Sequence, residues 1–202
     1  NDIFGSNSWN FYINYCYNNL VKRKIGEKMK KVLLSLACCA SFMFADNFTL
    51  KSSELKGQLT NKQVFSGFGC TGENISPELS WENAPKNTKS FAITVYDPDA
   101  PTGSGWWHWV VFDISKDKFT LPSGFGNSES KDAIQSITDF GKTGFGGACP
   151  PKGDKAHRYI FTVHSLDIET ISLDKNSNPA LVGYYLNAHS LAKASLISYY
   201  GR

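Results

Sequence analysis

Ser90–Ile114 reads SFAITVYDPDAPTGSGWWHWVVFDI, and its ends differ in kind from its middle. Ser90–Tyr96 is a run of β-branched and aromatic residues too short for a helix, which predicts a strand. Trp107–Ile114 predicts a second strand, apolar at both phases of the alternation. A strand without a polar face is covered on both sides, so it belongs inside a sheet. Between the two, Asp97–Trp109 packs two carboxylates, two prolines, two glycines, three tryptophans and one histidine into thirteen residues. That much turn chemistry excludes a core strand, and a surface loop does not need that much aromatic mass. Together they predict a concave site with aromatic walls and a polar floor. A second loop, Gly147–Tyr159 (GACPPKGDKAHRY), leads into a third predicted strand, Arg158–Asp167. The two loops are expected to build a single anion-accepting pocket.

The remaining chain is consistent with a mainly β fold. Phe48–Leu55 (FTLKSSEL) alternates like an edge strand, Ser66–Gly72 is a glycine-rich turn, and Leu79–Trp81 is a brief strand. Lys116–Lys155 is dominated by turn residues, and so long an aperiodic stretch points to function. Asn178 is a capping residue and Pro179 opens the one convincing helix, ALVGYYLNAHSLAKA, with Ser195–Tyr200 as a closing strand. Internal repeats, charge runs and a second-domain linker are missing from this pattern. The reading is a single sheet-rich domain with a peripheral C-terminal helix.

The N-terminal part has a different character. Residues 1–28 are rich in Asn and Tyr and carry no steady apolar period. Gly26-Glu27 before Met29 is what a purine-rich ribosome-binding site yields when translated, so 1–28 is expected to be upstream sequence read in frame; a genuine extension is the alternative. Met29-Lys30-Lys31 followed by VLLSLACCASFMFA predicts a signal peptide over 29–45, cleaved after Ala45 or, failing that, Ala40. The expected location is the periplasm or the medium, with the domain spanning 46–202. The apolar run is too short to stay as a membrane span, so no transmembrane segment is expected after cleavage.

This division changes the charge argument. Of 21 Lys+Arg and 18 Asp+Glu, residues 1–45 hold six basic and two acidic groups, leaving 15 and 16 and a net charge of −1. No basic stripe remains to support nucleic-acid binding. Of the five cysteines, Cys16, Cys38 and Cys39 go with the leader. An exported chain with Cys70 and Cys149 alone is expected to join them; two buried free thiols are the alternative.

With FGCTGENISPELSW, DPDAPTGSGWWHW, GACPPKGDKAHRY and NPALVGYYLNAHSLAKASL in view, the chain resembles the phosphatidylethanolamine-binding protein family. More narrowly it is similar to the bacterial Raf-kinase-inhibitor-like branch, the YbhB/YbcL type. The resemblance covers 47–200 and implies a sandwich-like β fold with an anion pocket at one edge. It assigns ligand contact to Asp97, His108, His157 and Tyr159. It also implies a small anionic ligand such as a phosphate or phospholipid headgroup, and in eukaryotic members an inhibitor or scaffold role toward kinases and proteases. Those partners do not transfer here, because only TGSGWW separates DPDAP from His108.

Residue chemistry refines these expectations. His108 and His157 can each donate from a ring nitrogen, Tyr159 adds a hydroxyl, and backbone amides around Gly144–Gly147, Gly146 among them, could turn inward. Asp97 either fixes an imidazole tautomer or caps the turn that Pro98 begins. Asp99 is expected behind the ligand groups, supporting the loop. Arg158, on the opposite strand face from His157 and Tyr159, is expected to pair with a carboxylate. Trp107 and Trp109 are expected in the core on the face opposite His108, which leaves Trp106 as the pocket wall. His164 and His189 carry no motif.

Asp97, His108 and His157 include the two-histidine, one-carboxylate set but lack a ligand spacing, so no metal or cofactor is expected. Gly103-Ser104-Gly105 lacks the earlier glycine of a nucleophile elbow. The expected function is non-catalytic binding. The alternative is a protein-interaction module that inhibits a protease or kinase through surface loops, including 127–144.

Overall fold

The computed structural model describes residues 47–202. The expected upstream segment, the signal peptide with its cleavage sites, and Cys16, Cys38 and Cys39 lie outside the described residues. The strands are β1 (Thr49–Lys51), β2 (Ser66–Gly67), β3 (Cys70–Thr71), β4 (Leu79–Glu82), β5 (Ser90–Asp97), β6 (Trp106–Ser115), β7 (Thr120–Leu121), β8 (Ile134–Gln135), β9 (His157–Leu166) and β10 (Ser190–Tyr200). One helix, α1 (Pro179–His189), stands between β9 and β10.

Two antiparallel sheets face each other. The larger has the order β10-β9-β5-β6-β8 and the smaller β1-β4-β7, with β2 and β3 forming a separate hairpin. Leu50, Leu79, Trp81 and Leu121 of the small sheet share one buried cluster with Phe91, Ile93, Val95, Trp109, Val111, Phe161 and Val163 of the large sheet. The other face of the large sheet carries Ala92, Val110, Phe112 and Leu166, covered by Val182 and Leu186 of α1 and by Ile171. Coverage on both faces is the reason β5 and β6 read as nearly continuous apolar runs.

Three expectations need correction in detail. Phe48–Leu55 pairs only over Thr49–Lys51, because the Ser52 hydroxyl accepts from the amides of Glu54 and Leu55 and turns the chain. The helix stops at His189 and does not reach Ala194. There the Ser190 hydroxyl donates to the Leu186 carbonyl, and the chain from Ser190 to Tyr200 pairs along β9 from Leu166 back to His157. Residues with good helix propensity (Leu191, Ala192, Lys193, Ala194) thus follow the ladder that β9 offers, a tertiary contact outweighing a local preference.

The third correction concerns the tryptophans. Val95 pairs with Trp109 and Tyr96 with Trp107, so His108 is an extra residue opposite that step, a β-bulge. Neighbours on β5 point to opposite faces, so Trp107 and Trp109 do too. Trp109 lies in the inter-sheet core, whereas Trp107 packs on Tyr96 toward the helix side.

Candidate functional site

The bulge sits where β5 ends and where β6 and β9 begin, and a cavity of about 210 Å³ opens there. Asp97, His108, His157 and Tyr159 all line it, with Trp106 in the wall. Strand register brings them together. Val95 pairs with Phe161, so two residues further along each antiparallel strand Asp97 and Tyr159 point to the same side. Ala100, Pro101, Pro150 and Pro151 of the two predicted loops add apolar wall, and sequence reasoning missed Phe68 and Phe140. Phe140 meets Trp106 and His108 edge-on at 5.5 and 5.3 Å, from a loop with no motif. Larger hollows of about 450 and 460 Å³ follow the 126–146 segment and contain neither imidazole of the cavity.

Asp97 fills both roles that the sequence left open. Its Oδ2 accepts from His157 Nδ1 at 2.8 Å, while Oδ1 accepts from the amides of Asp99 and Ala100 at 2.8 and 3.1 Å. The carboxylate that closes the turn therefore also sets the tautomer of His157. His157 Nε2 in turn lies 3.5 Å from Asp154 Oδ2, so both ring nitrogens face a carboxylate. Asp154 was not singled out from the sequence, although its place three residues before His157 was visible.

Asp99 serves the loop. Arg158 holds it with Nε at 2.8 Å and Nη2 at 2.9 Å, and the Arg158 amide adds a third bond. The Arg158 hydrogen bonds keep the Asp99 carboxyl well below the usual carboxylate range. This clamp ties the DPDAP turn to the start of β9, with Arg158 on the exposed face as expected.

His108 is placed differently from expectation. Its Nδ1 lies 2.7 Å from the Gly146 carbonyl oxygen, which can only accept. The ring is buried, and burial lowers its pKa, so it is neutral with the proton on Nδ1. Nε2 then carries a lone pair, and the expected second imidazole donor is an acceptor. Three of the expected amide donors are also consumed: Phe145 donates to Gly126, Gly146 to His108 and Gly147 to Asn74 Oδ1. A Cβ on Gly146 would stand 2.4 Å from the Phe140 ring, so glycine there permits the close approach. Asn74, which also donates to the Phe145 carbonyl, explains what the Phe68–Trp81 stretch contributes: it fastens the loop that holds His108.

Tyr159 remains a donor, because burial, aided by Asp97, pushes its phenol strongly upward. Cys70 and Cys149 are bonded to each other, and Cys149 lines the cavity. Among the described residues, no lysine or arginine lines it.

A family model described as phosphatidylethanolamine-binding protein matches residues 53–201. The chain is similar to the UPF0098 protein YbcL of Escherichia coli, at 51% identity over 180 residues, covering 85% of this chain and 98% of that protein. It is also similar to the UPF0098 protein YbhB of the same organism, at 54% over 142 residues, covering 69% and 89%. Among solved structures it resembles E. coli YbcL, described as a member of the mammalian PEBP family, with a TM-score of 0.74 and 52% identity over 77% of this chain and 98% of that one. A phosphatidylethanolamine-binding protein homologue from Chlamydia trachomatis matches with a TM-score of 0.65 and 28% identity, covering 77% and 97%.

Proposed function

We propose, for a chain that belongs to the phosphatidylethanolamine-binding protein family, an exported binding protein whose cavity takes a small phosphate-like anion without catalysis. One observation carries this reading. An apolar-walled cavity of about 210 Å³ has two donors converging on it, His157 held between Asp97 and Asp154, and the Tyr159 hydroxyl. Asp97 fixes Nδ1 of His157 as a donor, and a second proton on Nε2 would give the ligand an N–H and the only positive charge among the lining residues. Apolar walls keep water from competing for these bonds, which strengthens each one.

Two features support the non-catalytic part. Of the hydroxyl and thiol residues lining the cavity besides Tyr159, Thr102 donates its hydroxyl to the Gly105 carbonyl and Cys149 is in the disulfide. Export is supported by the basic and apolar start of the 29–45 segment and by the disulfide, a bond that persists in oxidising compartments.

The test is calorimetry with inorganic phosphate and phosphoethanolamine, followed by a crystal soaked in the tighter ligand. Density between His108 and His157, and loss of binding in His157→Ala, are expected; affinity unchanged by that substitution refutes the assignment. A second reading, contact with a protein partner through the exposed loops, is favoured by Phe68, which is 68% exposed at the cavity mouth. It predicts a complex that survives His157→Ala but not Phe68→Ser.

A further inference from the structure

We infer that the cavity selects a phosphoryl group still carrying a proton, a phosphate or phosphomonoester monoanion, because His108 meets the ligand as a hydrogen-bond acceptor. The inference rests on the anion-binding reading above and narrows its ligand class. The geometry behind it is a double lock. His108 Nδ1 donates to the Gly146 carbonyl at 2.7 Å, and the Gly146 amide donates back to the His108 carbonyl at 2.8 Å. Turning the ring over would abandon a buried carbonyl, at the cost of an unsatisfied polar group. The ring is also held edge-on between Tyr159 at 5.1 Å and Phe140 at 5.3 Å, and only 3% of the residue is exposed. Nε2 is therefore fixed with its lone pair outward.

The groups facing this ring work in opposite directions. Asp97 on β5 and Asp139 on the loop after β8 pull it toward protonation, and burial outweighs both. From β9, His157 and Tyr159 share the cavity, and Asp154 stands 3.5 Å from His157 Nε2. A fully ionised oxyanion would set an oxygen lone pair against the Nε2 lone pair in a site without lysine or arginine. A P–O–H instead donates to Nε2, while the other oxygens accept from His157 and Tyr159. His108, His157 and Tyr159 then each have a partner. Sulfate and phosphodiesters keep the tetrahedral shape and a negative charge but have no O–H to donate at neutral pH. A site built around a ligand hydroxyl discriminates strongly against analogues that lack it.

Calorimetry on the unmodified protein tests this with four probes: inorganic phosphate, methyl phosphate, sulfate and dimethyl phosphate. The first two are expected to bind, and the last two to be weaker by roughly 10- to 100-fold, the effect of one unpaired buried acceptor. Methyl phosphate affinity is expected to fall, tending to tenfold per pH unit, above its second ionisation near about pH 6. Methylphosphonate, which ionises at higher pH, is expected to hold its affinity to a correspondingly higher pH. Sulfate binding within a few-fold of phosphate, or a pH profile indifferent to the ligand's own ionisation, overturns this inference alone. No binding of any probe overturns the anion-binding reading and this inference with it.

Discussion

Asp97→Asn is the most informative single change, because one carboxylate does two jobs through two different oxygens. The amide oxygen of the substituted side chain can keep the bonds that Oδ1 receives from Asp99 and Ala100, so the turn should persist. The other position becomes an NH₂ facing His157 Nδ1, which in the wild type lies 2.8 Å from Oδ2. Two donors cannot share that contact, so the ring proton should move to Nε2 and leave Nδ1 to accept. A bond to a charged partner is worth about 1.5–3 kcal/mol and a neutral one about 1 kcal/mol, so the variant should lose about 1–2 kcal/mol of stability. His157 also loses the contact that fixes its ring in the cavity, which should weaken phosphate binding by roughly tenfold, since about 1.4 kcal/mol corresponds to that factor. The assays are urea denaturation, phosphate calorimetry, and ¹⁵N NMR of the imidazoles. Nitrogen shifts should report Nδ1 carrying a proton in the wild type and lacking one in the variant. An unchanged tautomer together with unchanged affinity would mean that the Asp97–His157 contact carries no functional energy.

Other expectations follow from individual contacts. Reduction of Cys70–Cys149 opens a loop with a sequence separation of 79 and should cost on the order of 4 kcal/mol on a chain-entropy estimate, read as the shift in urea midpoint with and without reductant. His164 is satisfied as a neutral ring by Thr94 and Ser190, and burial lowers its pKa from 6.5 to about 3. The unfolded chain therefore binds the extra proton first. The contribution is full above about pH 6.5 and declines as the pH falls toward 3, by roughly 1 kcal/mol per unit; NMR should show no His164 titration between pH 8 and 5. Gly146→Ala forces a Cβ against Phe140 and should cost about 1–3 kcal/mol while weakening phosphate binding through His108; a crystal structure with Phe140 unmoved would contradict that reasoning.

Local chemistry made the main strands, the capped helix start and the two loops legible, because β-branched runs, Asn-Pro and Pro-Gly clusters act over a few residues. It also separated His157 and Tyr159 from Arg158, since a strand has a period of two. Trp109 is in the core as expected, but the same period put Trp107 on its face, because a bulge at His108 depends on how β5 lies against β6 and leaves no mark in the sequence. Length could not show that the helix would stop at His189, where the edge of β9 captured the chain.

The family resemblance assigned ligand contact to Asp97, His108, His157 and Tyr159, and their residue types suit it, since each can exchange protons or bind through hydrogen. Which of them donates and which accepts was decided only by their neighbours. Gly146 makes His108 an acceptor, and Asp97 makes Nδ1 of His157 a donor. A histidine's role depends on which nitrogen holds the proton, and that is set by partners brought from distant parts of the chain.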